Sequence, residues 1–214
     1  MSEFLEIEQK FDVDTGFERP SFAGLTGVSA DAPVLHHLSA TYFDTADGRL
    51  AASKITLRRR TGGTDEGWHL KLPGVPASPA DAPLPAGVSA RLEVHAPLGA
   101  DATGENGAWV PARLATRVAG VTGDLPLKPI ATLDTERTVV TLCGHDGRPL
   151  AEIADDVVTA RRVPPVSEPL RWREIEVEVP VAAPELQRAA ADLLFAAGAR
   201  PAGHGSKLGR LLSS

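Results

Sequence analysis

Two alternating rows of glutamates stand near opposite ends of the sequence. The first row is Glu6 and Glu8, followed by Lys10, and the second runs over residues 174–178 as Glu-Ile-Glu-Val-Glu. Alternate residues of a β-strand share one face, so each row places its charges together. Like charges in a row are costly unless they are solvated or neutralised by a cation, and carboxylate oxygens suit Mg²⁺. The rows therefore indicate a metal-binding polar cavity, or else the wet face of a half-buried sheet.

A basic row favours the cavity over the wet face. Arg58 and Arg60 alternate within a β-type stretch, and Lys71 alternates with Leu70 and Leu72 a little further on. Guanidinium groups and metal ions together can hold phosphate oxygens through charge-assisted contacts. Acidic and basic rows on separate strands therefore point to chemistry on phosphates.

Segments of period 2 must position these rows. We predict strands over residues 4–13, 38–45, 54–61, 67–73, 88–96, 129–143, 148–158 and 170–180. Gly and Asp-Gly turns separate several of them, and the Pro-rich stretch 74–87 reads as a surface loop. Helical spacing is rarer: it predicts helices over 109–119 and from Pro184 to about Phe195, and a short one after Gly205.

These elements predict an α+β, mainly β, fold centred on an antiparallel sheet of eight strands with two or three peripheral helices. Closing the sheet into a barrel hides its edges and brings the charged faces of several strands into one interior. We expect one domain over residues 1–214.

Composition excludes several classes of function. The net charge of −6 offers no overall positive field for nucleic acid or an anionic membrane. The single cysteine, Cys143, excludes an internal disulfide and a cysteine metal cluster. No signal peptide and no apolar run of transmembrane length is found, so we expect a cytoplasmic protein.

The ordered motifs resemble those of one family. They are Glu6-Ile7-Glu8-Gln9-Lys10-Phe11, Tyr42-Phe43-Asp44-Thr45, Leu57-Arg58-Arg59-Arg60, Leu70-Lys71-Leu72-Pro73, Glu174-Ile175-Glu176 and Ser206-Lys207. In this order they are similar to the CYTH family, the triphosphate tunnel metalloenzymes, which includes class IV adenylate cyclases and thiamine triphosphatases. The resemblance is to the bacterial branch that often carries a helical CHAD domain. It implies an eight-stranded antiparallel tunnel, a divalent metal and chemistry on a triphosphate.

The resemblance also implies roles, position by position. The implied metal ligands are Glu6, Glu8, Glu93, Asp156, Glu174 and Glu176, and the implied phosphate contacts are Lys10, Arg58, Arg60, Lys71, Arg137 and Lys207. One metal would lie on Glu6, Glu8 and the Glu174/Glu176 group, and a second would position water. Lys10 is the expected catalytic residue, able to help activate water only if its pKa is depressed. Thr135 stands where the family often has a basic residue.

We therefore expect an enzyme that hydrolyses inorganic triphosphate to pyrophosphate and phosphate with Mg²⁺ or Mn²⁺. Thiamine triphosphatase and class IV-type adenylate cyclase are the alternative activities, and a non-catalytic polyphosphate- or nucleotide-binding module is the alternative class. The expected partner is a small triphosphate, with no nucleic acid and no membrane. The sequence leaves open a homodimer, the number of metals, and whether Arg91, Glu152, Glu178 and Lys207 take part in the site.

Overall fold

The chain is an antiparallel barrel in a computed structural model that describes residues 1–74, 88–99, 110–163, 168–179 and 183–214. Its strands are β1 (Ser2–Val13), β2 (Val28–Ala30), β3 (Val34–Asp44), β4 (Thr56–Thr61), β5 (Gly67–Pro73), β6 (Val88–Ala96), β7 (Lys128–Gly144), β8 (Pro149–Arg162), β9 (Leu170–Val179) and β10 (Arg200–Pro201). Its helices are α1 (Arg49–Ala52), α2 (Ala112–Thr122), α3 (Pro184–Ala196) and α4 (Lys207–Ser213). The predicted fold class is confirmed.

Eight strands close on themselves in the order β1-β6-β5-β4-β3-β7-β8-β9. The last of these pairs back onto the first, with Glu8 opposite Glu178 and Lys10 opposite Glu176. The short strands β2 and β10 extend the sheet by pairing with β7 and β1. Closure satisfies the sheet edges and turns alternate side chains of every strand inward.

Apolar side chains on the outer face hold the helices against the barrel. Leu57, Trp68 and Leu70 pack with Leu114 and Val118 of α2. A second outer cluster joins strands β1, β7, β8 and β9 to the apolar side of α3. The neighbours of these apolar residues in sequence are therefore left to face the interior.

Helix α4 is different because it packs inside the barrel. Leu208 and Leu211 contact an inner cluster that includes Leu133, Trp172 and Tyr42, and Tyr42 also lines the interior cavity. This apolar plug fills one end of the barrel, so the polar cavity occupies the remainder.

Every strand predicted from the sequence is present, with bounds shifted by a few residues. The elements that were not predicted are β2, β10 and α1, each only two to four residues long. Such segments are too short to show a period, and their structure comes from pairing and packing. Helix α2 begins after Pro111 rather than at residue 109, which lies outside the described residues, as does nearly all of the predicted loop 74–87.

One glycine fixes the hairpin that carries the basic row. Gly62 has φ +81°, and a Cβ there would overlap the backbone carbonyl of His37. Only glycine adopts this conformation without strain and clash.

Among the described residues, no helix combines the length and the apolar character that crossing a bilayer demands.

Candidate active site

The barrel encloses a polar cavity of about 200 Å³. Most of the residues expected at the site line it: Glu6, Lys10, Arg58, Arg60, Lys71, Glu93, Arg137, Glu176 and Lys207. The other three, Glu8, Asp156 and Glu174, are buried in the same acidic wall. Strand alternation thus brings these charges together in one interior, except for Lys207, which enters from helix α4.

The first carboxylate triad consists of Glu6, Glu8 and Glu178. One oxygen of each lies within 4.8 Å of the others. Lys71 Nζ lies 2.6 Å from Glu6, and Lys10 Nζ lies 2.7 Å from Glu8. These cations come from different strands, and within the described chain no single side-chain cation is paired with all three carboxylates.

Glu178 is the carboxylate of this triad whose negative charge is least compensated by nearby cations. Burial, together with the neighbouring Glu176 and Glu6, raises its pKa from 4.5 to about 7, although Arg137 opposes the shift. The guanidinium of Arg137 is 3.8 Å away, and 26% of the Glu178 side chain is exposed. Three hard oxygen donors with incomplete compensation are a suitable ligand set for Mg²⁺ or Mn²⁺.

The second carboxylate triad consists of Asp156, Glu174 and Glu176, again with oxygens within 4.8 Å of one another. Lys207 Nζ lies among them, 2.8 Å from Asp156 Oδ2, 2.8 Å from Glu174 Oε1 and 2.7 Å from Glu176 Oε1. Arg137 donates to both oxygens of Asp156, at 2.8 and 2.7 Å, and to Glu176 at 2.6 Å. This triad is therefore compensated by the protein itself.

The pKa values of the second triad reflect that compensation. Burial alone would favour the protonated form of Glu176, but Lys10, Lys207 and Arg137 hold its pKa well below the usual value. The pKa of Asp156 is lowered in the same way, with Arg137 and Lys207 outweighing burial. Both carboxylates are therefore ionised at neutral pH.

Lys10 lies between the two triads, donating to Glu8 of the first and Glu176 of the second. Burial favours its neutral form, yet these two carboxylates raise its pKa above the usual value. An ammonium ion has no lone pair with which to accept a proton. The condition under which Lys10 could help to activate water, a depressed pKa, is therefore not met in this structure, where Lys10 is a buried cation paired with Glu8 and Glu176.

The carboxylates expected to share one ion fall into two groups. Among the described residues, Glu6 and Glu8 cluster with Glu178, whereas Glu174 and Glu176 cluster with Asp156; the sharing of an ion between Glu6, Glu8 and the Glu174/Glu176 group stays a prediction. The grouping follows from the register of β1 against β9, which sets Glu8 opposite Glu178. Like charges directly opposite each other are destabilising unless a cation intervenes.

Glu93, expected among the metal ligands, lies outside both triads. Its Oε1 is 2.5 Å from His69 Nδ1, and its Oε2 is 3.2 Å from Lys71 Nζ. The other ring nitrogen of His69 lies 3.0 Å from the backbone carbonyl oxygen of Asp65. Glu93 therefore orients His69 and Lys71, which extend the basic side of the cavity.

Three guanidinium groups in the cavity have buried donors without acceptors. They are the Nε groups of Arg58, Arg60 and Arg91. Arg60 and Arg91 are each also paired with a carboxylate, Asp65 and Glu8 respectively. Arg58 donates a hydrogen bond to the hydroxyl of Tyr42, at 3.3 Å, and among the arginines and lysines that line the cavity in the described chain it is the one without an ion pair. Unpaired buried donors are costly, so this wall is suited to an anion.

The predicted faces of the basic strand hold in the structure. Arg58 and Arg60 line the cavity, whereas Arg59 between them is exposed on the outside. Arg137 and Lys207, expected to contact phosphate, form ion pairs with the carboxylates of the second triad, and their contact with phosphate stays a prediction.

The structure adds residues to the predicted site. Arg91 and Glu178, which the sequence left open, line the cavity, as does His69, which was not predicted although it alternates with Lys71. Asp65 comes from a hairpin loop, which carries no periodic signal. Glu152, in contrast, is exposed and does not reach the site.

The chain is similar in sequence to longer proteins. The CYTH domain family matches residues 5–205. Two uncharacterized proteins of Mycobacterium tuberculosis, from strains CDC 1551 / Oshkosh and H37Rv, are 40% identical over 98% of this chain. The chain spans 40% of the length of these relatives.

Solved structures share the barrel. A proposed adenylate cyclase from Bacillus halodurans superposes with a TM-score of 0.64 at 19% identity, covering 98% of both chains. A proposed adenylyl cyclase from Hippeastrum, described as having a dominant triphosphatase activity, gives 0.53 at 19% identity, covering 97% of this chain and 95% of that one. At this identity the likeness shows the fold.

Proposed function

This chain belongs to the CYTH domain family, and from that premise we propose that it hydrolyses inorganic triphosphate to pyrophosphate and phosphate with Mg²⁺ or Mn²⁺. Membership rests on the match over residues 5–205. The dominant triphosphatase activity described for the Hippeastrum relative agrees with this choice.

The observation that carries the proposal is the set of buried guanidinium donors. The Nε groups of Arg58, Arg60 and Arg91 have no acceptor, and all three residues line one cavity. A chain of phosphates offers an acceptor oxygen at each unit and the negative charge that guanidinium groups prefer. We therefore assign the binding of the phosphate chain to this basic wall.

The first triad supplies the metal site of the proposed reaction. Glu6, Glu8 and Glu178 offer carboxylate oxygens only, which favours hard divalent cations over zinc or copper. A bound Mg²⁺ or Mn²⁺ would neutralise charge on the transferring phosphoryl group. Lys10 and Lys71, held by these same glutamates, place further positive charge beside it.

The proposed reaction breaks one phosphoanhydride bond. Water attacks the terminal phosphorus, the bridging oxygen leaves with the electron pair of the P–O bond as pyrophosphate, and the water proton passes to solvent or product. Arg58 and Arg60 hold the phosphate oxygens and stabilise the charge that develops on them. Charge stabilisation and positioning, rather than a protein base, carry the step.

The form of the cavity supports a compact substrate. Trp68, the sequence's candidate for an aromatic rim, packs on the outer face against Phe43. Thr135 is buried on the strand that carries Arg137 and adds no basic group. Substrate recognition by phosphate contacts alone is therefore expected.

A substrate panel tests the proposal. The purified chain is incubated with Mg²⁺ or Mn²⁺ and inorganic triphosphate, ATP, thiamine triphosphate or long polyphosphate, with phosphate and cyclic AMP both measured. We expect kcat/KM to be highest for inorganic triphosphate. A tenfold preference for an organic triphosphate, about 1.4 kcal/mol, would contradict it, and cyclic AMP would identify a cyclase. Binding without turnover would identify a binding module.

Neighbouring arginines provide a matched pair of variants. Arg58→Met removes the unpaired donors, and we expect kcat/KM for triphosphate to fall on the order of 10²–10³-fold. Arg59→Met makes the same change on the outer face, where we expect less than a twofold effect. Equal effects of the two changes would exclude the proposed basic wall.

A further inference from the structure

The ammonium of Lys207 sits where a metal ion would be expected in the second triad. One oxygen each of Asp156, Glu174 and Glu176 lies 2.7–2.8 Å from its Nζ. The Nζ of Lys207 donates a hydrogen bond to Glu176 and forms ion pairs with Asp156 and Glu174. Lys207 thus supplies one positive charge that all three carboxylates share.

The fold holds this lysine in place. Lys207 is the first residue of α4, and the Ser206 hydroxyl caps the helix by accepting from the Gly209 amide at 3.0 Å. The next residues of the helix, Leu208 and Leu211, are buried in the inner apolar cluster of the barrel. Moving Lys207 out of the triad would therefore disturb the apolar plug as well.

A divalent ion and Lys207 cannot occupy the second triad together. Mg²⁺ binds carboxylate oxygens at about 2.0–2.1 Å, so it would take the position of Nζ. The three carboxylates already face Lys207, which pairs with this triad alone, and Arg137 and Lys10, which they share with the first triad. A divalent ion would therefore have to displace the ammonium of Lys207 from a buried cluster that fixed protein cations already neutralise.

The contact with Glu174 is the weakest of the three. Its Oε1 is buried and makes no hydrogen bond of regular geometry, although Nζ is 2.8 Å away. Its other oxygen accepts from the Trp172 indole at 2.6 Å. The triad therefore retains one oxygen that a non-directional ion would satisfy once Lys207 is removed.

We propose that Lys207 is the resident cation of the second triad, so that the chain binds one divalent ion, at Glu6, Glu8 and Glu178, and a second ion enters only when Lys207 leaves. The inference rests on the proposed function only in taking the first triad as the metal site. The inference predicts how many metal ions the chain binds and relates that number to the position of α4 inside the barrel.

The test is the number of Mn²⁺ ions bound without substrate, measured by calorimetry and by electron paramagnetic resonance of free Mn²⁺. We expect one ion for the wild-type chain and two for Lys207→Met. Lys128→Met, an exposed lysine at the start of β7, is the matched control and should keep one ion. Wild-type protein that binds two ions, or Lys207→Met that binds one, would overturn the inference.

The outcomes separate this inference from the proposed function. Two ions in an active wild-type enzyme would remove the inference and leave the function standing. No ion in the wild-type protein would remove the metal requirement of the function and the inference together. If Lys207→Met folds only with metal, its ion content is measured by elemental analysis after refolding in Mn²⁺. The number of ions bound by the wild-type protein tests the inference independently of this variant.

Discussion

The two carboxylate triads of the barrel use the same kind of ligand in the same spacing but are neutralised in different ways. In the second triad, Lys207 reaches every carboxylate, and Arg137 adds three hydrogen bonds. In the first, each carboxylate depends on separate cations, and Glu178 has a raised pKa of about 7. Ligand spacing alone therefore does not tell a metal site from a structural one.

The difference between the triads indicates which of the two requires a bound metal ion. A buried cluster compensated by fixed protein cations gains little from a metal ion and serves to hold strands together. A cluster left partly uncompensated stores unfavourable repulsion that an added cation relieves. The same reasoning applies to the basic wall, where Arg58 has no ion pair and a bound anion would neutralise its charge.

Removal of metal should have the largest effect and should distinguish the two triads. Because we assign metal to the first triad only, EDTA should reduce triphosphate hydrolysis to background while leaving the barrel folded. Mg²⁺ or Mn²⁺ should restore activity. The measurements are phosphate release and near-ultraviolet circular dichroism on the same samples. Full activity after exhaustive chelation, or loss of the folded signal, would contradict the assignment.

Substitution of a single carboxylate should change the affinity for metal differently in the two triads. Glu6→Gln should weaken Mn²⁺ binding by at least tenfold, about 1.4 kcal/mol, because it removes a proposed ligand. Glu174→Gln, an equivalent change in the second triad, should alter it by less than about threefold on the same scale. Titration calorimetry of the two variants provides the comparison, and the reverse order would place the metal in the second triad.

Stability should respond in the opposite order. Asp156→Asn breaks a fully buried carboxylate away from Arg137 and Lys207, which should cost about 3–5 kcal/mol of unfolding free energy. Glu6→Gln should cost on the order of 1 kcal/mol, because Lys71 keeps Glu93 at 3.2 Å. Urea unfolding in EDTA measures both. Equal losses would show that the second triad is not the structural one.

The smallest expected effect is a pH dependence at Glu178. Its folded pKa of about 7 exceeds the usual 4.5, so the folded state binds this proton more tightly than the unfolded state. Wild-type stability should therefore fall as pH rises from about 4.5 to 7. Glu178→Gln removes that loss and should gain on the order of 1 kcal/mol relative to wild type at pH 8. The figure is reduced because 26% of the side chain is exposed.

The measurement is urea unfolding of both proteins at pH 5 and pH 8 in EDTA. At pH 5 the two should differ little, because the wild-type carboxyl is already protonated. Addition of Mn²⁺ at pH 8 should abolish the advantage of the variant, since the metal stabilises the ionised wild type. A difference that does not change with pH would show that Glu178 is ionised throughout.

Much of the site follows from strand alternation. The period of 2 places Arg58 and Arg60 on one face and Arg59 on the other, and it groups the glutamates of β1 and of β9. It predicts these features because side-chain direction in a strand is a local property of the backbone. The short strands β2 and β10 were not predicted because they form only by pairing with strands that are distant in the sequence.

The sequence by itself determined the eight long strands and which charged residues turn inward. Only the tertiary structure decided which carboxylates meet, because the register of β1 against β9 sets Glu8 opposite Glu178. It also decided that Lys207, far away in sequence, enters the second triad from an internal helix. Register and helix seating depend on closure of the whole barrel, and no local pattern of residues encodes that closure.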